Sequence, residues 1–244
     1  MHILEKIDLL QNKVNHLRPF EGSLLKQVQD YYRIGITWSS NALEGNTLTE
    51  SETKVLIEDG LTVGGKPLKD TFEALGHAKA FDFMFSLLGQ NTICEADILK
   101  LHELFYSEID PLYAGKYRDI PVLVSGSRYP VTEPAQIAAA MEQLCVWIAE
   151  QQNKLHPVEF AALLHKKFVF IHPFKDGNGR VARLLMNTAL IQKGYLPVVI
   201  PPVLRSEYIE LLEKAHRIDS PFIEFIAELE KEAQRELLRL LHIS

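Results

Sequence analysis

The chain has 244 residues, 47% of them hydrophobic and 24% charged, which supports one sizeable core or a core with a small annex. Its 26 basic residues against 32 acidic ones give a formal net charge of −6, so there is no basic field for nucleic-acid binding. No stretch reaches membrane-spanning length and the opening MHILEKIDLLQNK lacks the apolar region of a secretory leader, so a cytoplasmic setting is expected.

Leu4, Ile7, Leu10 and Val14 recur at helical spacing and predict a helix over residues 2–17, broken by Pro19. A second helix is expected from Leu24 to Trp38. Thr49 with Glu52 forms a capping box that opens a short helix through Glu58. After the loop DGLTVGGKP, helices are expected over Asp70–Leu88 and Glu95–Tyr106. The stretch Gly115 to Pro134 is the one β-region: VLV is β-branched and apolar, SGS is a turn, and proline closes the second arm. Helices then run over Pro134–Gln151 and Pro157–Phe170, each opening on proline, and over Arg180–Lys193. Pro197, Pro201 and Pro202 force a non-helical connection before helices at Ser206–Arg217 and Ser220–Leu241. His77, His102, His156 and His165 fall in helical segments and suit packing or surface positions. Cys94 and Cys145 sit in apolar helical patterns that suit buried free thiols rather than a disulfide. No repeat is present, and residues 1–60 form a candidate regulatory annex on a core of residues 61–244.

The chemistry concentrates in HPFKDGNGRVAR, His172 to Arg183, between an apolar run and a helical pattern. A loop entering a helix N-terminus presents free N–H groups and a favourable dipole to anions. Gly177 and Gly179 bracket Asn178 and let a backbone come close to a ligand, so successive N–H groups can form a nest for phosphate oxygens. Arg180 and Arg183 lie three apart, share a helix face, and carry forks that match phosphate. Asp176 suits Mg²⁺, which keeps most of its water. His172 is placed to take a proton from an attacking hydroxyl. Such a stretch can also be a plain turn between helices, but its gapless set of reactive types argues against that. A zinc hydrolase is disfavoured, because no H-E-x-x-H or paired-histidine spacing occurs.

This segment matches the Fic signature H-x-F-x-[DE]-G-N-G-R-x-x-R at every defined position, and the chain resembles the Fic family from about Ile36 to Phe225. The resemblance implies an all-α Fic fold, a helical core with a small β-hairpin flap. It also implies transfer of AMP from Mg-ATP to a protein Ser, Thr or Tyr hydroxyl. His172 would then be the general base, Phe174 the loop anchor and Asp176 the Mg²⁺ ligand. Gly177, Asn178 and Gly179 would cradle the phosphates, Arg180 would support them, and Arg183 would meet the γ-phosphate.

Upstream, SSNALEGN (Ser39 to Asn46) resembles the family's inhibitory motif [ST]-x-x-x-E-[GN], with Ser40 and Glu44 at its defined positions. The resemblance implies that Glu44 pairs with Arg183 and spoils the pose of ATP. Gly45 also suits a plain helix end. Gly115–Pro134 resembles the flap, with Val122, Leu123, Val124 and Ser125 as the face that would pair with an extended target strand. Tyr208 and Ile209 match family positions beside the adenine, and His216 stands where some relatives carry asparagine. Two other readings remain open: removal of AMP at the same site, and a non-catalytic binding module on the same scaffold. The expected partner is a protein substrate, with the chain itself among the candidates and a homodimer left open; no nucleic acid or membrane is expected.

Overall fold

The computed structural model describes residues 2–242. Ten α-helices follow in chain order among the described residues: α1 Ile3–Asn15, α2 Gly22–Ala42, α3 Glu50–Asp59, α4 Leu68–Ser86, α5 Glu95–Tyr106, α6 Ile137–Gln151, α7 Pro157–Ile171, α8 Asn178–Gln192, α9 Arg205–Lys214 and α10 Ser220–Leu240. No described helix is long and apolar enough to cross a membrane.

Helix α8 is the centre of the molecule. Val181, Ala182, Leu184, Leu185, Met186 and Leu190 are fully buried, and the polar Asn178, Arg180, Arg183, Asn187 and Thr188 are buried too, so this helix is enclosed nearly all round and its polar groups need partners inside the protein. Helices α7, α4, α5 and α2 pack around it. The first helix lies along the last, α1 on α10, while α6 covers α7 and α3 bridges α2 and α4. A small second cluster of Leu48, Leu56 and Ala74 closes the space under α3.

Local chemistry sets several helix ends, with side-chain caps or capping boxes opening α1, α3, α5 and α7. The Thr49–Glu52 capping box forms, with Thr49 N–H donating to Glu52 Oε2 at 2.7 Å and Glu52 N–H donating to Thr49 Oγ1 at 3.2 Å. Helix α2 runs four residues past the expected Trp38 and into the Ser40–Glu44 motif. Its polar end finds partners both across the fold and within the helix: Ser39 Oγ donates to the Ile200 carbonyl, and Asn41 Nδ2 donates to the Thr37 carbonyl one turn back at 3.0 Å and to the Glu73 carbonyl of α4 at 3.4 Å. Such residues usually end helices by competing for the backbone; here that competition is absorbed in part across the fold.

Two expectations are corrected. The Gly115–Pro134 stretch forms no hairpin, and no strand occurs among the described residues. Only the Val124–Ser127 turn closes, with Ser127 N–H donating to the Val124 carbonyl at 3.1 Å. Pro121, Pro130 and Pro134 remove ladder donors. The Arg118 guanidinium also takes the carbonyls of Ile120 and Thr132, one from each arm. Cys94 is exposed at the start of α5 and Cys145 is half-buried, so neither is a core thiol. The apolar pattern around Cys94 belongs to α5, whose first residue is Glu95.

The α1–α10 contact holds a buried polar cluster. Gln234 Nε2 donates to Gln11 Oε1 at 2.9 Å, and Leu196 N–H donates to Glu230 Oε1 at 3.2 Å. Burial pushes the Glu230 carboxyl well above the usual carboxylate range, only partly opposed by the Leu196 N–H. A raised folded-state value adds stability below the unfolded value and loses it as pH rises toward the folded one. Glu230→Gln should therefore raise the melting temperature at pH 8 and change it little at pH 4. Equal shifts in the two paired melts would count against a neutral buried Glu230.

Candidate active site

His172 ends α7 in the left-handed region, at φ 54° and ψ 57°. Its Nδ1 lies 3.3 Å from the Val169 carbonyl, an acceptor, so Nδ1 carries the proton and Nε2 is left as the basic nitrogen. Burial lowers its pKa below 6.5. The imidazole is therefore neutral near pH 7, the form a general base needs.

The loop from His172 to Gly177 is pinned by its own side chains. Phe174 is fully buried and stacks on His102 at 3.7 Å between ring centroids and 3° between planes. Asn178 closes the loop reciprocally: its Oδ1 accepts from Phe174 N–H at 2.9 Å and its Nδ2 donates to the Phe174 carbonyl at 2.8 Å. The Asn178 side chain is thus committed to loop shape, leaving its backbone for an anion. His102 accepts from Gly115 N–H at 3.0 Å through Nδ1, which fixes Nε2–H as the donor to the Asp176 carbonyl at 3.1 Å. Burial lowers the His102 pKa to about 4, so this tautomer persists across the physiological range. The packing role expected of His102 is met, with the added task of tying the Asp176 backbone to α5. Gly177 caps α8 at φ +80°, where an added Cβ would lie 2.7 Å from Phe105 Cε1. Gly177→Ala should destabilise by about 1–3 kcal/mol, read from denaturant midpoints. An unchanged midpoint would show the loop to be looser than drawn.

The two arginines of α8 diverge. Arg180 Nη1 bonds Glu73 Oε1 at 2.7 Å and Nη2 bonds Asp176 Oδ1 at 3.2 Å, with the guanidinium carbon 4.5 Å above the Phe105 ring. Arg183 turns the other way. Its Nε donates to Ser40 Oγ at 2.9 Å, and its Nη2 donates to the Ser40 carbonyl at 2.9 Å and to Glu44 Oε1 at 2.7 Å. Its Nη1 donates to Tyr208 Oη at 3.4 Å, and Tyr208 Oη in turn lies 2.9 Å from His165 Nε2. Burial alone would lower the Arg183 pKa, but Glu44 and Tyr208 outweigh it and the net shift is upward. Burial alone would raise that of Glu44, yet Arg183 and Arg180 outweigh it, so Glu44 stays ionised.

The Glu44 carboxylate also sits against the first turn of α8. A Cβ on Gly179 would stand 2.5 Å from Glu44 Oε1 and 3.2 Å from Arg183 Nη1. Glycine at this position therefore admits an anion to the helix N-terminus, and the anion found there is the chain's own carboxylate.

A cavity of about 200 Å³ opens over these groups, with His172, Glu44, Gly179, Tyr208 and Ile209 on its walls and Val124 and Ser125 at one edge. Tyr208 is buried and held by its hydroxyl, whereas Ile209 is partly exposed. Val122 is half-buried and Leu123 is 99% exposed, so the loop tip points to solvent. The loop docks through a three-ring stack: His216 lies 3.6 Å from Phe170 and 3.8 Å from Tyr129 between centroids. Sequence reasoning did not single out Glu73, Arg118 or His165, the partner of Tyr208, as site groups. Each acts through a partner more than 40 residues away, and no local pattern marks it.

Asp176 fits a divalent cation. Its Oδ1 is taken by Gly177 N–H at 2.6 Å and by Arg180, its Oδ2 has no partner among the described residues, and the side chain is 46% exposed. Among the described residues no group of three His, Cys, Asp or Glu side chains is placed to hold an ion. A Mg²⁺ here would take one Asp176 oxygen and complete its shell with ligand phosphate and water, its usual habit.

These features define a class of protein: an all-helical site with a histidine at its mouth and an internal glutamate lying on an arginine fork and a helix N-terminus. The chain belongs to the Fic/DOC family, which it matches over residues 92–190. It is 38% identical over 228 residues to the protein adenylyltransferase Fic of Drosophila melanogaster, covering 92% of this chain and 46% of that one. It is equally similar, at 38% over 229 residues, to the namesake from Nematostella vectensis, covering 92% and 53%. The chain thus spans about half the length of these curated relatives. Among solved structures, Fic-1 (residues 134–508) from C. elegans superposes with a TM-score of 0.90 at 29% identity, over 98% of this chain and 72% of that one. A Fic-domain-containing signaling protein from Bacteroides thetaiotaomicron superposes with a TM-score of 0.84 at 30% identity, over 94% of each chain.

Proposed function

We propose that this chain transfers AMP from Mg-ATP to a Ser, Thr or Tyr hydroxyl of a protein and is held in check by Glu44. The observation that carries this reading is one carboxylate placed on both anion-seeking features of the site, the α8 N-terminus and the Arg183 fork. The relatives named protein adenylyltransferase supply the reaction class.

In the proposed step the acceptor hydroxyl loses its proton to His172 Nε2 while its oxygen attacks the α-phosphorus. One P–O bond forms and the bond to pyrophosphate breaks. The protein's part is to place the two reactants and stabilise charge, since little covalent work falls to it. The amides at the start of α8 face the phosphates, Arg183 takes the γ-phosphate once Glu44 leaves, and Arg180 holds Asp176. When bound to Asp176, Mg²⁺ supplies charge neutralisation on the phosphate oxygens. The loop bearing Val122 to Ser125 offers backbone groups to an extended acceptor segment. Residues 1–60, which include Glu44, act as the regulatory annex of a core formed by residues 61–244. A cytoplasmic setting completes the reading, and copies of this chain rank among its candidate acceptors and partners.

The decisive experiment is mass spectrometry on the Glu44→Gly variant after exposure to ATP, Mg²⁺ and a lysate. A gain of one AMP on Ser, Thr or Tyr supports the reading; modification by phosphate alone overturns it. Removal of AMP is the second reading, favoured by an ionised Glu44 and a neutral His172 on one cavity wall. Incubating an AMP-modified acceptor with wild type in the absence of ATP separates the two.

A further inference from the structure

Arg118 lies between the cavity loop and the end of α7. It is 2% exposed, and among the described residues no carboxylate lies within salt-bridge distance of it. A buried cation without a counter-ion is costly. Its charge is met at contact distance by backbone carbonyls, with the Glu133 carboxylate favouring it from farther off. Nε donates to the His172 carbonyl at 2.9 Å, Nη1 donates to the Ile120 carbonyl at 3.0 Å, and Nη2 donates to the Thr132 carbonyl. Its main-chain N–H donates to the next carbonyl along, that of Pro173, at 2.9 Å.

One residue therefore grips the backbone of His172 and Pro173 from one side and both roots of the 121–131 loop from the other. His172 is a non-glycine residue in the left-handed region, a conformation that persists only where the surroundings over-determine it. The Arg118 bond to its carbonyl is one such restraint. The loop needs the same grip, because it has no ladder of its own beyond the Val124–Ser127 turn.

We infer that Arg118 is a positioning residue that locks the His172 imidazole and the acceptor-facing loop into one register, so that proton acceptor and incoming hydroxyl arrive together. A lysine would keep the charge and lose the planar three-way fork. The inference deepens the AMP-transfer reading and rests on it for its kinetic part. The Arg118 charge also sits close enough to disfavour the His172 imidazolium, adding to the effect of burial.

The test compares Arg118→Gln and Arg118→Lys in the Glu44→Gly background, with three readouts. Turnover of AMP transfer should fall about 10²-fold in both, the scale set by a misplacement of about 1 Å. Mg-ATP affinity by calorimetry should stay within about threefold, because Arg118 does not face the α8 cradle. The ring titration of His172, followed by NMR, should move to higher pH in Arg118→Gln and much less in Arg118→Lys. Parallel loss of turnover and nucleotide affinity would reduce Arg118 to a structural support and overturn the inference, as would unchanged turnover with an unmoved His172 titration. If the Glu44→Gly parent transfers no AMP, the functional reading fails first, and the His172 titration still decides whether Arg118 governs the imidazole.

Discussion

Glu44→Gly is expected to raise AMP transfer on the order of 10²-fold or more over the wild-type chain, since a tethered competitor acts at high effective concentration. Glu44 Oε1 occupies the Arg183 Nη2 donor at 2.7 Å and crowds Gly179 at the start of α8. On the proposed reading, a γ-phosphate reaching Arg183 needs the space this carboxylate holds. The substitution removes the competitor while keeping the receptor in place. Arg183 retains both bonds to Ser40 and its contact with Tyr208 Oη, so the guanidinium stays oriented for an incoming phosphate. The measurement is transfer from α-labelled ATP to acceptor protein at matched nucleotide concentration. A rate no higher than wild type, with ATP demonstrably bound, would dispose of autoinhibition. Adding Arg183→Ala to Glu44→Gly should cancel the gain, because the same fork serves both anions.

His172→Ala in that activated background should lower turnover by about 10²–10⁴-fold, the usual range for a positioned general base. Mg-ATP affinity should be nearly unchanged, because the imidazole lies at the mouth of the cradle and not within it. The pH profile carries the second half of this prediction. Burial lowers the His172 pKa below its ordinary 6.5, and only the neutral ring accepts a proton. Transfer by Glu44→Gly should therefore be flat between pH 7 and 8 and fall on the acid side, with its midpoint below 6.5. A profile that keeps its acid limb in His172→Ala would assign that limb to another group.

The parts of the site legible in the sequence are those whose chemistry is local. HPFKDGNGR could be understood as a loop entering a helix because glycine, asparagine and a following apolar pattern act within a few residues. The Thr49–Glu52 capping box formed for the same reason. The hairpin expected at Gly115–Pro134 shows the limit. Its β-branched residues satisfied the local pattern, but a guanidinium from Arg118 claimed the arm carbonyls and the prolines withheld donors. Cys94 failed in a similar way, since the apolar pattern around it belongs to a helix that begins one residue later.

The family resemblance anticipated Glu44 as the partner of Arg183, but nothing in the sequence marked Glu73 as the partner of Arg180. Spacing placed the two arginines on one helix face, yet each follows its nearest carboxylate: Glu73 from α4 draws one away, and Glu44 from the end of α2 draws the other. Residue types and short-range spacing thus determined the helices, the anion-seeking loop and the identity of the reactive groups. Only the tertiary structure decided that Glu73 meets Arg180, because an ion pair between residues 107 apart in the chain depends on how α4 packs on α8 and on nothing near either partner.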